Sequence, residues 1–232
     1  MASSRKSSGS FGSRRKAGPD PAGLFAFDRE FASEFVAGAD EAGRGCLAGP
    51  IVAAAVVLDR QCIEDLGGGL LGDLNDSKKM TAKARQRLYP EILRCAKRVS
   101  VVMRSSRYID TNGLHVSNIE VLSQALVGLD LAEGSVCLVD GFSLPACQVH
   151  HQRLVKGDSK SAAVAAASVI AKVTRDRCME RAGQRYPGYG FEGHKGYASE
   201  THRDAIRQLG PSPIHRMSFN SSAYGEPEQA AA

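Results

Sequence analysis

The sequence predicts an α/β fold: one mixed sheet of five strands flanked by helices, followed by a helical C-terminal region. Two observations carry the prediction. Five apolar runs of strand length occupy the first two thirds of the chain, and segments with helical spacing lie between and after them. A third supports a single unit, since no internal repeat and no interdomain linker divides the chain. Strands are expected near residues 35–40, 51–58, 98–104, 136–139 and 149–155. Thr81 is placed to cap a helix running through Leu88, with Pro90 interrupting before Ile92 and Leu93 resume the apolar stripe. Val116, Ile119, Leu122, Leu126 and Leu129 recur at helical spacing and read as a core-facing stripe. The Ala/Ser-rich residues 161–177 form a third expected helix, whose small side chains imply close approach to a neighbour, and residues 199–209 a fourth.

A chain of 232 residues with 43% hydrophobic content can bury a substantial core in one domain. Its longest nearly apolar stretch, from Cys46 to Leu58, contains Gly49 and Pro50 and stops at Asp59, too short for a bilayer. No membrane association is expected. Six scattered cysteines, with no Cys-x-x-Cys pair, favour a reducing cytoplasmic compartment. The net charge of +5 is concentrated at the start, where Arg5, Lys6, Arg14, Arg15 and Lys16 face Asp20 alone. Bulk charge in the body is nearly neutral, so a nucleic-acid footprint there must come from local clusters such as Lys78, Lys79, Lys83, Arg85 and Arg87. Residues 1–30 are expected to be a disordered basic tail, 31–222 the folded domain and 223–232 a flexible end. The Arg/Ser-rich start also has the composition of an organellar transit peptide, without the amphipathic apolar face.

Chemistry concentrates where acids follow apolar runs. Asp40 and Glu41 end the first run and lead into a glycine-rich turn, Gly43-Arg44-Gly45. A phosphate-cradling nucleotide loop would need a Gly-Lys-Ser/Thr ending, which is absent. Neighbouring strand residues face opposite ways, so Asp40 and Glu41 can share a site only if the strand breaks there. Asp140 follows the apolar run 136–139, and Asp158 stands before the small-residue helix, where it also suits a capping role. Clustered carboxylates without basic partners call for a hard cation, Mg2+ or Mn2+, and two such ions suit phosphodiester hydrolysis.

In sequence order, Asp40-Glu-Ala-Gly-Arg-Gly45, Asn75-Asp-Ser-Lys78, Val139-Asp-Gly141, Lys156-Gly-Asp158 with the Ala165–Asp176 stretch, and His194-Lys-Gly-Tyr197 resemble ribonuclease HII. The likeness runs from about Val36 to Phe219. It implies a ribonuclease H-like fold, with Asp40, Glu41, Asp140 and Asp158 as catalytic, metal-binding residues for two Mg2+ or Mn2+ ions. It further implies substrate contacts from Gly43, Arg44 and Gly45 to the ribonucleotide, from Ser77 and Lys78 to a phosphate, and from Tyr197 to the sugar. The implied partners are RNA/DNA hybrids and duplex DNA carrying single ribonucleotides, cut to leave 5′-phosphate and 3′-hydroxyl ends by a monomer. Removal of misincorporated ribonucleotides and RNA primers is the implied task.

Cys46 departs from the proline or other small residue common in the family, and suggests oxidation sensitivity beside the site. Eighteen helical residues at about 1.5 Å each would hold Asp176 some 27 Å from Asp158, so Asp176 is assigned to structure, paired with an arginine. His194, His202 and His215 are expected in structural or phosphate-contacting roles. The related ribonuclease HIII carries an additional folded N-terminal domain, for which the residues before Val36 are too few. The other alternative is a catalytically silent nucleic-acid-binding protein on the same scaffold.

Overall fold

Strand β1 (Phe35–Ala42) lies in the middle of the sheet because both its edges are paired. The computed structural model describes residues 23–59, 61, 71–75, 77, 78 and 80–224. On one side β1 runs antiparallel to β2 (Ile51–Asp59), which pairs antiparallel with β3 (Arg98–Arg104). On the other it runs parallel to β4 (Val136–Asp140), which pairs parallel with the short β5 (Gln152–Leu154). The order β3-β2-β1-β4-β5 is the mixed five-stranded sheet expected, with β5 three residues long instead of seven.

Helices cover both faces, which is why β2 is apolar throughout rather than alternating. One face packs on α1 (Leu24–Arg29), α2 (Ala82–Cys95) and the long α5 (Ala162–Arg185), through Val36, Ala54, Val56 and Leu58. The other packs Ala37, Ala39, Ala53 and Ala55 on α3 (Ser106–Asn112) and α4 (Leu114–Val127). Alanines fill the first turns of α5 because the helix rests directly on the sheet. A Cβ on Gly38 would stand 2.2 Å from the Ala163 carbonyl carbon, so only glycine fits there. After α5 come α6 (Phe191–His194) and α7 (Glu200–Leu209), the expected helical C-terminal region.

Several boundaries differ from the sequence reading. The tail assigned to residues 1–30 overlaps α1, whose Leu24 and Phe25 are buried in the core and whose Asp28 Oδ2 accepts from the Ala163 N–H at 2.9 Å. Burying those two apolar side chains is worth roughly 3–6 kcal/mol, enough to tie the segment down. At the other end Ala223 is buried and the Tyr224 hydroxyl donates to the Leu47 carbonyl at 3.0 Å, so the folded body extends past residue 222. Residues 1–22 and 225–232 lie outside the described residues, as does Lys79 of the basic cluster.

Pro90 does not interrupt its helix. Leu88 before it and Ile92 after it are both buried in the same core, and that packing carries α2 through the missing N–H. Thr81 caps the helix as expected, accepting from the Ala84 N–H at 3.2 Å. The α4 stripe is displaced: the buried face is Asn118, Val121, Leu122, Ala125 and Leu126, whereas Val116 is 55% exposed. Helix α5 continues past residue 177 to Arg185 because Met179 is buried against Phe191 and Ala48.

Candidate active site

The parallel register between β1 and β4 sets Ala39 opposite Val139, so Asp40 and Asp140 emerge side by side. Asp158 joins them from a 3-10 turn, Gly157–Ser159, just before α5. That turn is drawn to the strand end by the Gly157 N–H, which donates to Asp140 Oδ1 at 2.7 Å. Carboxylate oxygens of Asp40, Asp140 and Asp158 all lie within 4.8 Å of one another, close enough to share a cation. Ser161, not Asp158, caps α5, accepting from the Val164 N–H at 3.3 Å.

Glu41 is not one of those three. Strand β1 does not break at the acids but continues to Ala42, still paired with β2, so Glu41 alternates away from Asp40. It stays within electrostatic reach. Burial, opposed by the charge of Arg44, pushes the Glu41 carboxyl up to about 7, with Asp140 also raising it and Lys78 lowering it. Its Oε1 stands 3.8 Å from Arg44 Nη1, while Oε2 is buried with no hydrogen-bond partner among the described residues. Asp40 is also held well above the usual carboxylate range, first by burial and then by the charges of Glu41 and Asp140. The Ser168 hydroxyl and the Glu41 N–H, at 2.7 Å from Asp40 Oδ1, pull the other way.

Ser77 is buried, and its hydroxyl meets that of Ser168 at 2.6 Å, so it buttresses Asp40 through Ser168 rather than facing outward. Lys78 is open to solvent and reaches Asp158 Oδ2 at 3.6 Å. Asp176 lies along α5 and is paired with Lys172 at 2.8 Å and Arg85 at 3.9 Å. Arg85 also donates to the carbonyls of Ser77 and Met80, so it is committed to structure.

The second wall is made by the loop after β1 and the turn after α6. Gly43 has φ +99, and a Cβ there would meet Arg175 Nε at 2.1 Å, while Gly45 faces open space. The Arg44 guanidinium lies 4.6 Å over the Phe142 ring. An isolated antiparallel bridge joins Cys46 to Tyr197, and the Leu47 N–H donates to the Gly196 carbonyl at 2.9 Å. Tyr197 is 42% exposed at this wall, with Lys172 Nζ 5.0 Å from its ring. Cys46 is fully buried and burial raises its thiol pKa, both of which disfavour the thiolate that oxidation requires.

A model of the family described as Ribonuclease HII matches residues 37–222. The chain belongs to the ribonuclease HII family. As a member it is a ribonuclease, an endonuclease of the hydrolase class. A Ribonuclease HII from Rhodococcus erythropolis is 48% identical over 184 residues, spanning 79% of each chain. One from Rhizobium meliloti is 49% identical over 185 residues, covering 79% of this chain and 82% of its own. Among solved structures, the ribonuclease H2 of Pyrococcus horikoshii superposes with TM-score 0.66 at 28% identity, covering 82% of this chain and 95% of that one. The RNase HII of Archaeoglobus fulgidus, in a complex with PCNA, gives TM-score 0.68 at 26% identity, over 81% and 96%. Among the described residues no helix is long and apolar enough to cross a membrane.

Sequence reasoning missed the groups that hold the ribonuclease HII site from behind. Ser168 was visible only as one more small residue of α5. Arg175 and Arg216 are fully buried, and burial draws Arg216 down to about 10. The three histidines are structural, and their tautomers follow from their partners. His202 Nδ1 lies 2.9 Å from the Tyr197 carbonyl and must donate to it. His202 Nε2 therefore accepts from His215 Nε2 at 3.1 Å, which leaves His215 Nδ1 to accept from the Ser212 N–H at 2.7 Å. His194 stacks on His202, accepts from the Gly196 N–H at 3.1 Å and donates to the Tyr189 carbonyl at 2.7 Å. Burial lowers His202 to about 4 and draws His215 down as well.

Proposed function

We propose that this enzyme hydrolyses RNA in RNA/DNA hybrids and cuts at single ribonucleotides embedded in duplex DNA, using divalent cations held by Asp40, Asp140 and Asp158 with Glu41 beside them. The observation that carries the reading is the convergence of three carboxylates from two parallel strand ends and one helix-preceding turn. The donor set fits a hard cation: it is all oxygen, and Asp40 and Glu41 are both held above their usual range by burial and by neighbouring negative charge. A cation offsets that repulsion and competes with protons for the same oxygens.

When bound, two Mg2+ or Mn2+ ions supply Lewis acidity to the phosphate and the attacking water. The protein's residues do the rest. Lys78, exposed beside Asp158, is placed for the phosphate. The Gly43-Arg44-Gly45 backbone and the exposed face of Tyr197 form a wall for the ribose, where a 2′-hydroxyl separates RNA from DNA. Ser77 supports the site through Ser168. The products are 5′-phosphate and 3′-hydroxyl ends, and the task is removal of misincorporated ribonucleotides and RNA primers by a cytoplasmic monomer. A solved RNase HIII in complex with Mn2+, 21% identical with TM-score 0.68, shares the fold.

The test is incubation with a duplex holding one ribonucleotide, with Mg2+ or Mn2+ and with chelator. Cleavage at the ribonucleotide only when metal is present is expected. Binding without cleavage under every metal condition would establish the silent scaffold instead.

A further inference from the structure

Beneath the loop that follows β1 lie two guanidiniums with no acidic partner. Arg175 and Arg216 are both fully buried, and among the described residues neither has a carboxylate within 4 Å. A buried charge is tolerated only where dipoles converge on it. Here they are backbone carbonyls. Arg175 donates from Nε to Pro50 at 3.0 Å, from Nη1 to Lys195 at 2.9 Å and from Nη2 to Ala48 at 3.1 Å. Arg216 donates from Nε and Nη2 to Gly49 at 3.0 and 2.9 Å, and from Nη1 to Arg44 at 2.9 Å.

Five peptide groups thus turn their carbonyls inward. In a trans peptide the N–H points opposite to the C=O, and no described bond is cis. Each of these peptides therefore aims its amide outward. For four of them the amide is used, within a paired strand, or absent. Gly49 N–H donates to Ile214 and Gly196 N–H to His194, Ile51 lies in β2 paired with β3, and residue 50 is proline. The fifth is different. The Arg44 carbonyl faces Arg216, so the Gly45 N–H faces away from it, with no acceptor among the described residues and nothing within 4 Å of the place a Cβ would occupy.

We propose that Arg216 is a positioning residue for ribose recognition: by gripping the Arg44 carbonyl it aims the Gly45 N–H as a hydrogen-bond donor at the 2′-hydroxyl oxygen of the bound ribonucleotide. The proposal rests on the reading of this wall as the ribose subsite. The guanidinium also polarises the shared peptide, which makes its N–H a stronger donor. Lysine at 216 would keep the charge but lose the fork that spans the Arg44 and Gly49 carbonyls.

The experiment measures affinity of the full chain, in chelator, for two duplexes that differ by one 2′-hydroxyl. The wild-type protein should prefer the ribonucleotide duplex. Arg216→Lys should lower that preference by about tenfold while all-DNA affinity holds, the size of one lost hydrogen bond to substrate. Gly45→Pro, which deletes the N–H at an open position, should remove the same preference, and the double variant should lose no more than either alone. A preference retained in folded Arg216→Lys, or effects that simply add, would overturn the proposal. Should Arg216→Lys not fold, Gly45→Pro decides: a retained preference overturns the proposal and a lost one supports it. A wild-type protein indifferent to the 2′-hydroxyl, yet cutting hybrids with metal, overturns the ribose subsite and the proposal with it. One that neither discriminates nor cuts also overturns the enzymatic reading.

Discussion

The two walls of the site are held in place by opposite means. The carboxylate wall comes from backbone pairing: Asp40 and Asp140 are adjacent because β1 and β4 run parallel in register, and Asp158 is drawn in by a main-chain hydrogen bond to Asp140. The loop wall has little regular pairing and is held by side chains, the buried Arg175 and Arg216 guanidiniums and the His202 and His194 imidazoles, that take up its carbonyls and amides. A carboxylate can therefore be replaced without disturbing its frame. The two arginines that hold the loop wall cannot be replaced without moving what they hold, since each serves more than one backbone carbonyl.

Replacing an acid is the largest expected effect. Asp140→Asn keeps an oxygen to accept from the Gly157 N–H and removes one of the charges that raise Asp40. Cleavage should fall by a factor on the order of 10³ or more, while thermal stability without metal holds or rises and hybrid binding persists. Asp158→Asn should behave likewise, and Asp176→Asn should keep turnover in whatever fraction folds. Near-normal turnover by either site variant would break the assignment of that wall to catalysis.

Next in size is Tyr197→Ala. Loss of the exposed ring should slow cleavage at a single ribonucleotide by roughly 10–100-fold, and on a uniform hybrid by less, while Tyr197→Phe keeps part of the activity. Equal and mild losses on both substrates, accompanied by a lower melting temperature, would reassign Tyr197 to packing.

Opposite pH slopes would sharpen the contrast further. Glu41 has a folded pKa near 7, above its ordinary value, so metal-free protein should gain stability from this group as pH falls from about 7 towards 4.5. His202 has a folded pKa near 4, below its ordinary value, so the same protein should lose stability from this group as pH falls from about 6.5 to 4. Each contribution has a ceiling of about 3–4 kcal/mol. Urea titrations across this range should show Glu41→Gln abolishing the gain and His202→Gln abolishing the loss. A stability profile unchanged by either substitution would show that the two walls do not differ in this way.

The smallest effect is expected at an exposed ion pair. Arg87 and Asp73 form an exposed ion pair, so Arg87→Ala should change stability by less than about 1 kcal/mol and leave cleavage unaltered. A larger loss of activity would mean that the basic cluster on α2 takes part in binding substrate.

Local signals in the sequence reach as far as local physics does. Apolar runs at strand length, the Thr81 cap, and acids at strand ends mark the sheet and three converging carboxylates, because strand periodicity and capping are decided within a few residues. Where tertiary contacts outweigh local preference, the reading departs from the structure. Leu24 and Phe25 tie α1 into the core despite the tail-like composition before them, Leu88 and Ile92 carry α2 through Pro90, and pairing with β2 keeps β1 intact across Asp40 and Glu41. The buried roles of Ser168, Arg175, Arg216 and His202 have no local signature. Serine, arginine and histidine ordinarily face water, and only the packed fold brings to each the partners that make burial tolerable.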